Sequence, residues 1–230
     1  PDAERPRAGL SAMRMAFRAD ASHLIGGGHV MRCLTLATLA RERGHAVVFI
    51  CRELPGHLGP HIARCGFELH LLPAPGGSVE SRSVGPSPAD GLAVSSAEDA
   101  RQTIERLGDQ ALDAIVVDHY ALDAGWLDPL RARWPGLRSL AIDDLDDRQL
   151  GADLVLDQTR AAFAPRRYRP LCLLGGARYA LLQPAFAALR ASALARRRSA
   201  GAVRRLLVTP GMADTRGLAM CALHAAEGLA

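Results

Sequence analysis

The fold turns on one stretch: Met15-Ala16-Phe17-Arg18-Ala19-Asp20, then Gly26-Gly27-Gly28-His29, then an apolar series at Val30, Cys33, Leu34, Ala37 and Ala40. The first run is short, largely apolar and ends on a carboxylate, the pattern of a strand. The later series has the i, i+3, i+4 spacing of an amphipathic helix, and Gly44 stands where a C-cap glycine would close it. Strand, glycine-rich turn and helix in this order open an α/β unit. Ala46–Cys51 follows as a continuous β-branched and aromatic run, typical of a parallel strand buried on both faces.

The alternation continues outward from there. A helix is expected over roughly Gly56–Cys65, ended by Gly66, and a third strand at Glu68–Leu72. Residues 73–95 are rich in Pro, Gly and Ser without a period, and are expected to form a long surface loop or a disordered insertion. Ser95 and Glu98 are spaced as a capping box for a helix to about Leu107. A fourth strand at Ala114–Val117 ends in Asp118-His119-Tyr120, and Asp123 caps a helix through Arg133. Leu140–Ile142 is a fifth strand, followed by Asp143-Asp144-Leu145-Asp146-Asp147; further short strands are expected at Leu154–Leu156 and Leu171–Leu174. A helix begins at Pro184 and runs to about 198, with a linker at Ser199–Ala202. Leu206–Thr209 then reads as a strand, Pro210–Asp214 as a turn and Leu218–Leu229 as a helix.

Strict alternation predicts a doubly wound parallel sheet with right-handed crossovers. In the strand order 3-2-1-4-5, strands one and four are neighbours at the switch point, and ligands bind outside their carboxyl ends. The turns there, Asp20–His29 and Asp118–Tyr120, are also the most polar. The expected organisation is an unstructured extension over residues 1–12 ahead of a natural start at Met13, a Rossmann-like N-terminal domain with a crossover segment over 13–200, and, over 201–230, the truncated start of a second α/β domain.

Composition narrows the function classes. With 49% hydrophobic and 23% charged residues the 230-residue chain is ordinary globular material, and 4% aromatic content implies an aliphatic core. All 28 basic residues are arginine and the net charge is +4, a mild bias toward anionic ligands. There is no run of five basic residues and no aromatic–basic interleaving, so nucleic acid is not an expected partner; Arg196-Arg197-Arg198 reads as a solvated helix end. Five cysteines without a Cys-x-x-Cys pair, scattered through apolar runs, are expected to be reduced core thiols of a cytoplasmic protein. No signal-peptide core and no membrane-spanning apolar run is visible.

The glycine turn fails as a dinucleotide fingerprint, which would need glycine at Met31, and as a P-loop, which would need lysine. It can bring backbone amides close to an anion, or simply make a tight turn. His29, in the first helical turn, can take a proton from water or a hydroxyl, or merely cap the helix. Asp20 can orient His29, hold a hydroxyl, or bond its own turn. Asp118-His119-Tyr120 offers an acceptor, a titratable ring and a phenol; a half-buried aromatic lid is the plainer role for Tyr120. The acidic run after strand five lacks the glycine and terminal glutamate of a calcium loop, so a strand-end turn is favoured over a metal site, with Asp143 or Asp144 reaching the crevice.

Several ordered motifs together resemble one family. Phe17-Arg18-Ala19-Asp20-Ala21-Ser22, Ile25-Gly26-Gly27-Gly28-His29, Arg32-Cys33-Leu34-Thr35-Leu36-Ala37, Val117-Asp118-His119-Tyr120, Ile142 to Arg148, Asp153 to Gln158 and Tyr179 to Phe186 are similar to segments of the pseudaminic-acid-pathway UDP-sugar hydrolases. These act on UDP-2,4-diacetamido-2,4,6-trideoxy-β-L-altropyranose. The resemblance implies a GT-B-like architecture, with two α/β domains facing a cleft and water in place of an acceptor sugar. It implies a catalytic base at His29 and a site-lining phenol at Tyr120, with Asp20 beside them. Substrate contacts are expected at Arg18, Gly26, Gly27, Gly28, Arg32, Asp118, His119, Asp143, Gly211 and Asp214, with a UDP-sugar as partner and no cofactor or metal. The sequence departs from the family at Gln183, where arginine is usual, at Pro210–Asp214, which replaces a Gly-Gly-x-Asp turn, and in ending at Ala230. The alternatives are a related GT-B glycosyltransferase and a non-catalytic remnant.

Overall fold

The computed structural model describes residues 11–74, 91–159, 171–198, 201, 205–212, 214 and 217–227. The expected extension over residues 1–12, the loop over 73–95 and the linker at 199–202 fall largely outside them.

Seven parallel strands form one sheet: β1 (Arg14–Ala19), β2 (Ala46–Arg52), β3 (Glu68–Leu72), β4 (Ala114–Asp118), β5 (Arg138–Ile142), β6 (Leu154–Asp157) and β7 (Cys172–Gly175), in the order β3-β2-β1-β4-β5-β6-β7. The helices are α1 (Gly28–Glu42), α2 (Gly59–Arg64), α3 (Ser96–Leu107), α4 (Ala124–Arg133), α5 (Pro184–Arg198) and α6 (Leu218–Glu227). The expected doubly wound sheet is present, with β1 and β4 adjacent at its centre. Ser95 accepts from the Glu98 amide and Asp123 from the Trp126 amide, so both predicted N-caps form.

Alternation along the strands divides the core in two. One face carries Phe17, Ala19, Phe49, Cys51 and Val116 against Val30, Cys33, Leu34 and Ala37 of α1 and Ile62 of α2. The other carries Ala16, Val48, Ile50 and Ile115 against Ala100 and Leu107 of α3 and Trp126, Leu127 and Leu130 of α4. Asp118 therefore points to the α1 side of β4, and Arg18, Asp20, Arg52 and His119 to the side of α3 and α4.

The expected strand at Leu206–Thr209 is not formed. Its apolar run lies in irregular conformation with Leu206 and Leu207 exposed, and among the described residues no strand lies beside it to complete its hydrogen bonds. Neither α5 nor α6 has a buried residue. Among the described residues no helix is long and apolar enough to cross a membrane.

Candidate functional site

Register fixes the site. Ala19 of β1 pairs with Asp118 of β4, so the two polar turns leave the sheet side by side at its carboxyl edge. After β1 the chain closes a small loop: the Gly26 amide donates to the Ser22 carbonyl at 2.9 Å and the Ser22 amide to the Gly26 carbonyl at 3.3 Å. Gly26 has φ +75°, a left-handed conformation that favours glycine. Gly27 is walled in: a Cβ there would stand 2.2 Å from Met212 Sδ and 2.9 Å from Leu58 Cδ1. The chain then enters α1, whose N-terminus has no side-chain cap and no acidic residue. The Gly26 amide is used by Ser22, but those of Gly27 to Val30 have no partner among the described residues. Those donors and the positive end of the helix dipole suit an anion.

His29 sits in that first turn. Its Nδ1 lies 2.6 Å from Asp118 Oδ1. Arg32, one turn on, grips the same carboxylate with two donors, Nη2 to Oδ1 at 2.5 Å and Nε to Oδ2. The Asp118 side chain is fully buried. Burial alone would raise its pKa, but the hydrogen bonds and charges of Arg32 and His29 outweigh burial and hold it below the usual carboxylate value. An ionised carboxylate only accepts, so His29 Nδ1 must carry the hydrogen. In the neutral ring Nε2 then keeps its lone pair, and no described protein group bonds it. Asp118 thus fixes both the orientation and the tautomer of the imidazole, as the aspartate does in a Ser-His-Asp triad.

Tyr120 leans its ring edge on His29, with centroids 4.8 Å apart and planes at 84°. Its hydroxyl donates to Asp144 Oδ1 at 2.8 Å. Burial, reinforced by that carboxylate, pushes the phenol up to about 12, so it keeps its proton at neutral pH. In front of these groups opens a cleft of about 530 Å³, lined by Ile25, Gly28, His29, Met31, Arg32, Thr35, Tyr120, Gln158, Leu181, Leu182, Gln183 and Phe186. Its size is that of a small-molecule site, and its lining is divided between polar and apolar side chains.

The structure brings seven of the expected site residues together. Gly28, His29, Arg32 and Tyr120 line the cleft, Asp118 stands directly behind His29, and Gly26 and Gly27 shape the turn. Arg18 and Asp20 do not reach the cleft. They lie on the opposite face of the sheet with no exposed surface, joined by two hydrogen bonds of 2.6 and 2.8 Å. The expected orienting role of Asp20 therefore belongs to Asp118. The cause is strand parity: Asp20 shares a face with Ala16 and Arg18, whereas α1 packs on Phe17 and Ala19. His119 is on the far face as well, 5% exposed. Asp143 is buried and caps the turn after β5, accepting from the Leu145 and Asp146 amides and from Arg148 Nη2 at 2.7 Å.

Gly211 and Asp214 do not line the cleft either. Asp214 takes the first amides of α6, from Leu218 at 2.7 Å and Ala219 at 2.8 Å. Gly211, at φ +99°, precedes the Met212 that packs on Gly27. Three further features shape the cleft; Asp144 is expected at the crevice from sequence, and the other two have no role assigned from it. Asp144 tethers Tyr120. Gln158 accepts from the Leu181 amide at 3.1 Å through Oε1, which leaves its NH₂ for the cleft. Leu181, Leu182 and Phe186 form an apolar wall. The acidic run is spent on such tethers, and among the described residues no group of three or more His, Cys, Asp or Glu converges on a metal position. No protein-family model matches the chain, and no curated protein matches it.

Proposed function

We propose that this chain is a nucleotide-sugar hydrolase, which splits a UDP-linked 2,4-diacetamido-2,4,6-trideoxy sugar into free sugar and UDP. The observation that carries the reading is the Asp118–His29 pair, with Nδ1 bound by the carboxylate and Nε2 open at a ligand-sized cleft. In the proposed reaction the oxygen of water attacks the anomeric carbon. One of its protons passes to His29 Nε2. The bond from C1 to the diphosphate oxygen breaks, and its electron pair leaves with UDP. Charge grows on the leaving diphosphate, so donors near it matter as much as the base; in this reading the uncapped amides of Gly27 to Val30 supply them.

A related glycosyltransferase would use the same base on an acceptor hydroxyl, and the apolar wall of Leu181, Leu182 and Phe186 is the feature that favours it. The two separate in one experiment, incubation of the chain with UDP-2,4-diacetamido-2,4,6-trideoxy-β-L-altropyranose and no acceptor. Release of UDP with equimolar free sugar is the expected result. Release only after an acceptor is added would give the transferase. No release by folded protein in either case would remove the catalytic reading and leave a binding remnant.

A further inference from the structure

The Asp118-His119-Tyr120 turn has two faces. Asp118 and Tyr120 both meet His29 on the cleft side. His119 points the other way, into the buried cluster of Arg18, Asp20, Arg52 and Asp99. Its Nδ1 accepts from the Ala121 amide at 3.0 Å, so the neutral ring carries its hydrogen on Nε2. Nε2 is buried and faces Asp20 Oδ2 at 3.4 Å. The His119 carbonyl accepts from Arg148 Nη2 at 3.1 Å, and Arg148 is in turn held by Asp143. Asp20 is itself fixed on three sides, by two donors of Arg18 and by the Arg52 amide at 2.6 Å.

The geometry points to His119 as a positioning residue. From the far side of the sheet it pins the turn between Asp20 and Arg148, and so sets where Asp118 and Tyr120 meet His29. It does not touch the cleft, so its effect runs through the placement of other groups. The 3.4 Å separation is longer than a well-made hydrogen bond. The contact therefore acts as a buried electrostatic guide, which chooses among nearby turn conformations. A shift of the turn by a fraction of an ångström would lengthen the 2.6 Å bond on which the tautomer of His29 depends.

This inference rests on the reading of His29 as the base, but it can be tested without turnover. Two variants divide the ring's contacts. In His119→Gln the amide nitrogen falls near the position of Nε2 and keeps a donor toward Asp20. In His119→Asn the side chain can still accept from the Ala121 amide but cannot reach Asp20. Long-range proton–nitrogen spectra of the ¹⁵N-histidine-labelled full chain report the tautomer of each imidazole. The expected result is a single Nδ1–H form of His29 in the parent and in H119Q, and a mixture of both tautomers in H119N. Retention of the single form in folded H119N overturns the inference, and so does its loss in H119Q. If H119N does not fold, His119→Ala takes its place, with a mixture of both tautomers expected and a single form overturning the inference. Where substrate is turned over, H119N should lose kcat by up to roughly 100-fold with KM nearly unchanged, the scale of a misplaced catalytic group. If no variant, the parent included, releases UDP while the tautomers behave as expected, the proposed function fails and the positioning role stands.

Discussion

The two faces of the central sheet carry the same chemistry in opposite settings. On the side of α3 and α4, Arg18, Asp20, Arg52 and Asp99 form a cluster with no exposed surface. Asp99 alone accepts from Arg18 Nε at 3.0 Å, Arg18 Nη2 at 2.7 Å, Arg52 Nη2 at 2.6 Å and Trp126 Nε1 at 2.9 Å. On the α1 side, Arg32 and His29 share Asp118, but both keep part of their surface in the cleft. The sealed cluster has two cations and two anions, and of its guanidinium nitrogens all but Arg52 Nε bond the cluster's carboxylates or a nearby carbonyl. The open one has an arginine, a carboxylate and an imidazole with one nitrogen left over. Where charge is sealed it holds strands together, and where it is half-open it leaves a group able to act on a ligand.

The largest effect should come from breaking the sealed side. Asp99→Ala leaves two buried guanidinium groups and an indole N–H short of an acceptor, which should cost about 3–5 kcal/mol of stability in denaturant unfolding. A loss below 1 kcal/mol would mean that the cluster is not structural. His29→Ala on the open side should do the reverse. Its stability should stay within about 1 kcal/mol of the parent, while the rate of UDP release falls by well over ~100-fold. Near-normal turnover would strip His29 of its role. Asp118→Asn is intermediate: it frees the imidazole tautomer and should also cost on the order of 100-fold in rate, while weakening the fold less than Asp99→Ala does.

Acid should then expose the sealed side. Burial raises the pKa of Asp20 and Asp99, but Arg18 and, for each, a further partner outweigh it, and both end below the ordinary value. A carboxylate whose folded pKa is depressed contributes stability above its unfolded pKa, and that contribution is lost as pH falls through the folded one. Their contribution should therefore be complete from neutrality down to about pH 4, the unfolded aspartate value, and shrink below it. Stability unchanged between pH 7 and pH 2 would contradict the charge pairing. The smallest effect belongs to Asp144→Asn. It should lower Tyr120 from about 12 toward the ordinary phenol value of about 10, read as tyrosinate absorbance against Tyr168 and Tyr179. Turnover at neutral pH should change little, because the phenol is protonated in either case.

The sheet was legible in the sequence because its signals are local. Glycine stops, the Ser95 and Asp123 caps and continuous apolar runs each lie within a few residues of what they determine. The central pair β1 and β4 followed from topology, and with it the meeting of the glycine turn and the Asp118 turn. What escaped was the face to which each polar residue turns. Asp20 and Asp118 both end strands, yet a one-residue difference in parity sends one into the sealed cluster and the other to His29. The alternation of Arg18 and Asp20 with Phe17 and Ala19 held that information. The recruitment of Asp99 and Trp126, 81 and 27 residues from their partners, has no local signature. The apolar run at Leu206–Thr209 has the composition of a strand, but strand formation also requires a neighbour to pair with, which composition does not encode.

The most direct test of water attack at the sugar carbon is the phosphorus spectrum of UDP released in ¹⁸O-enriched water. Attack at C1 leaves both phosphorus atoms with their original oxygens, so the β-phosphorus signal should show no isotope shift. A shifted β-phosphorus signal would place the attack on the diphosphate and contradict a base built to serve the anomeric carbon.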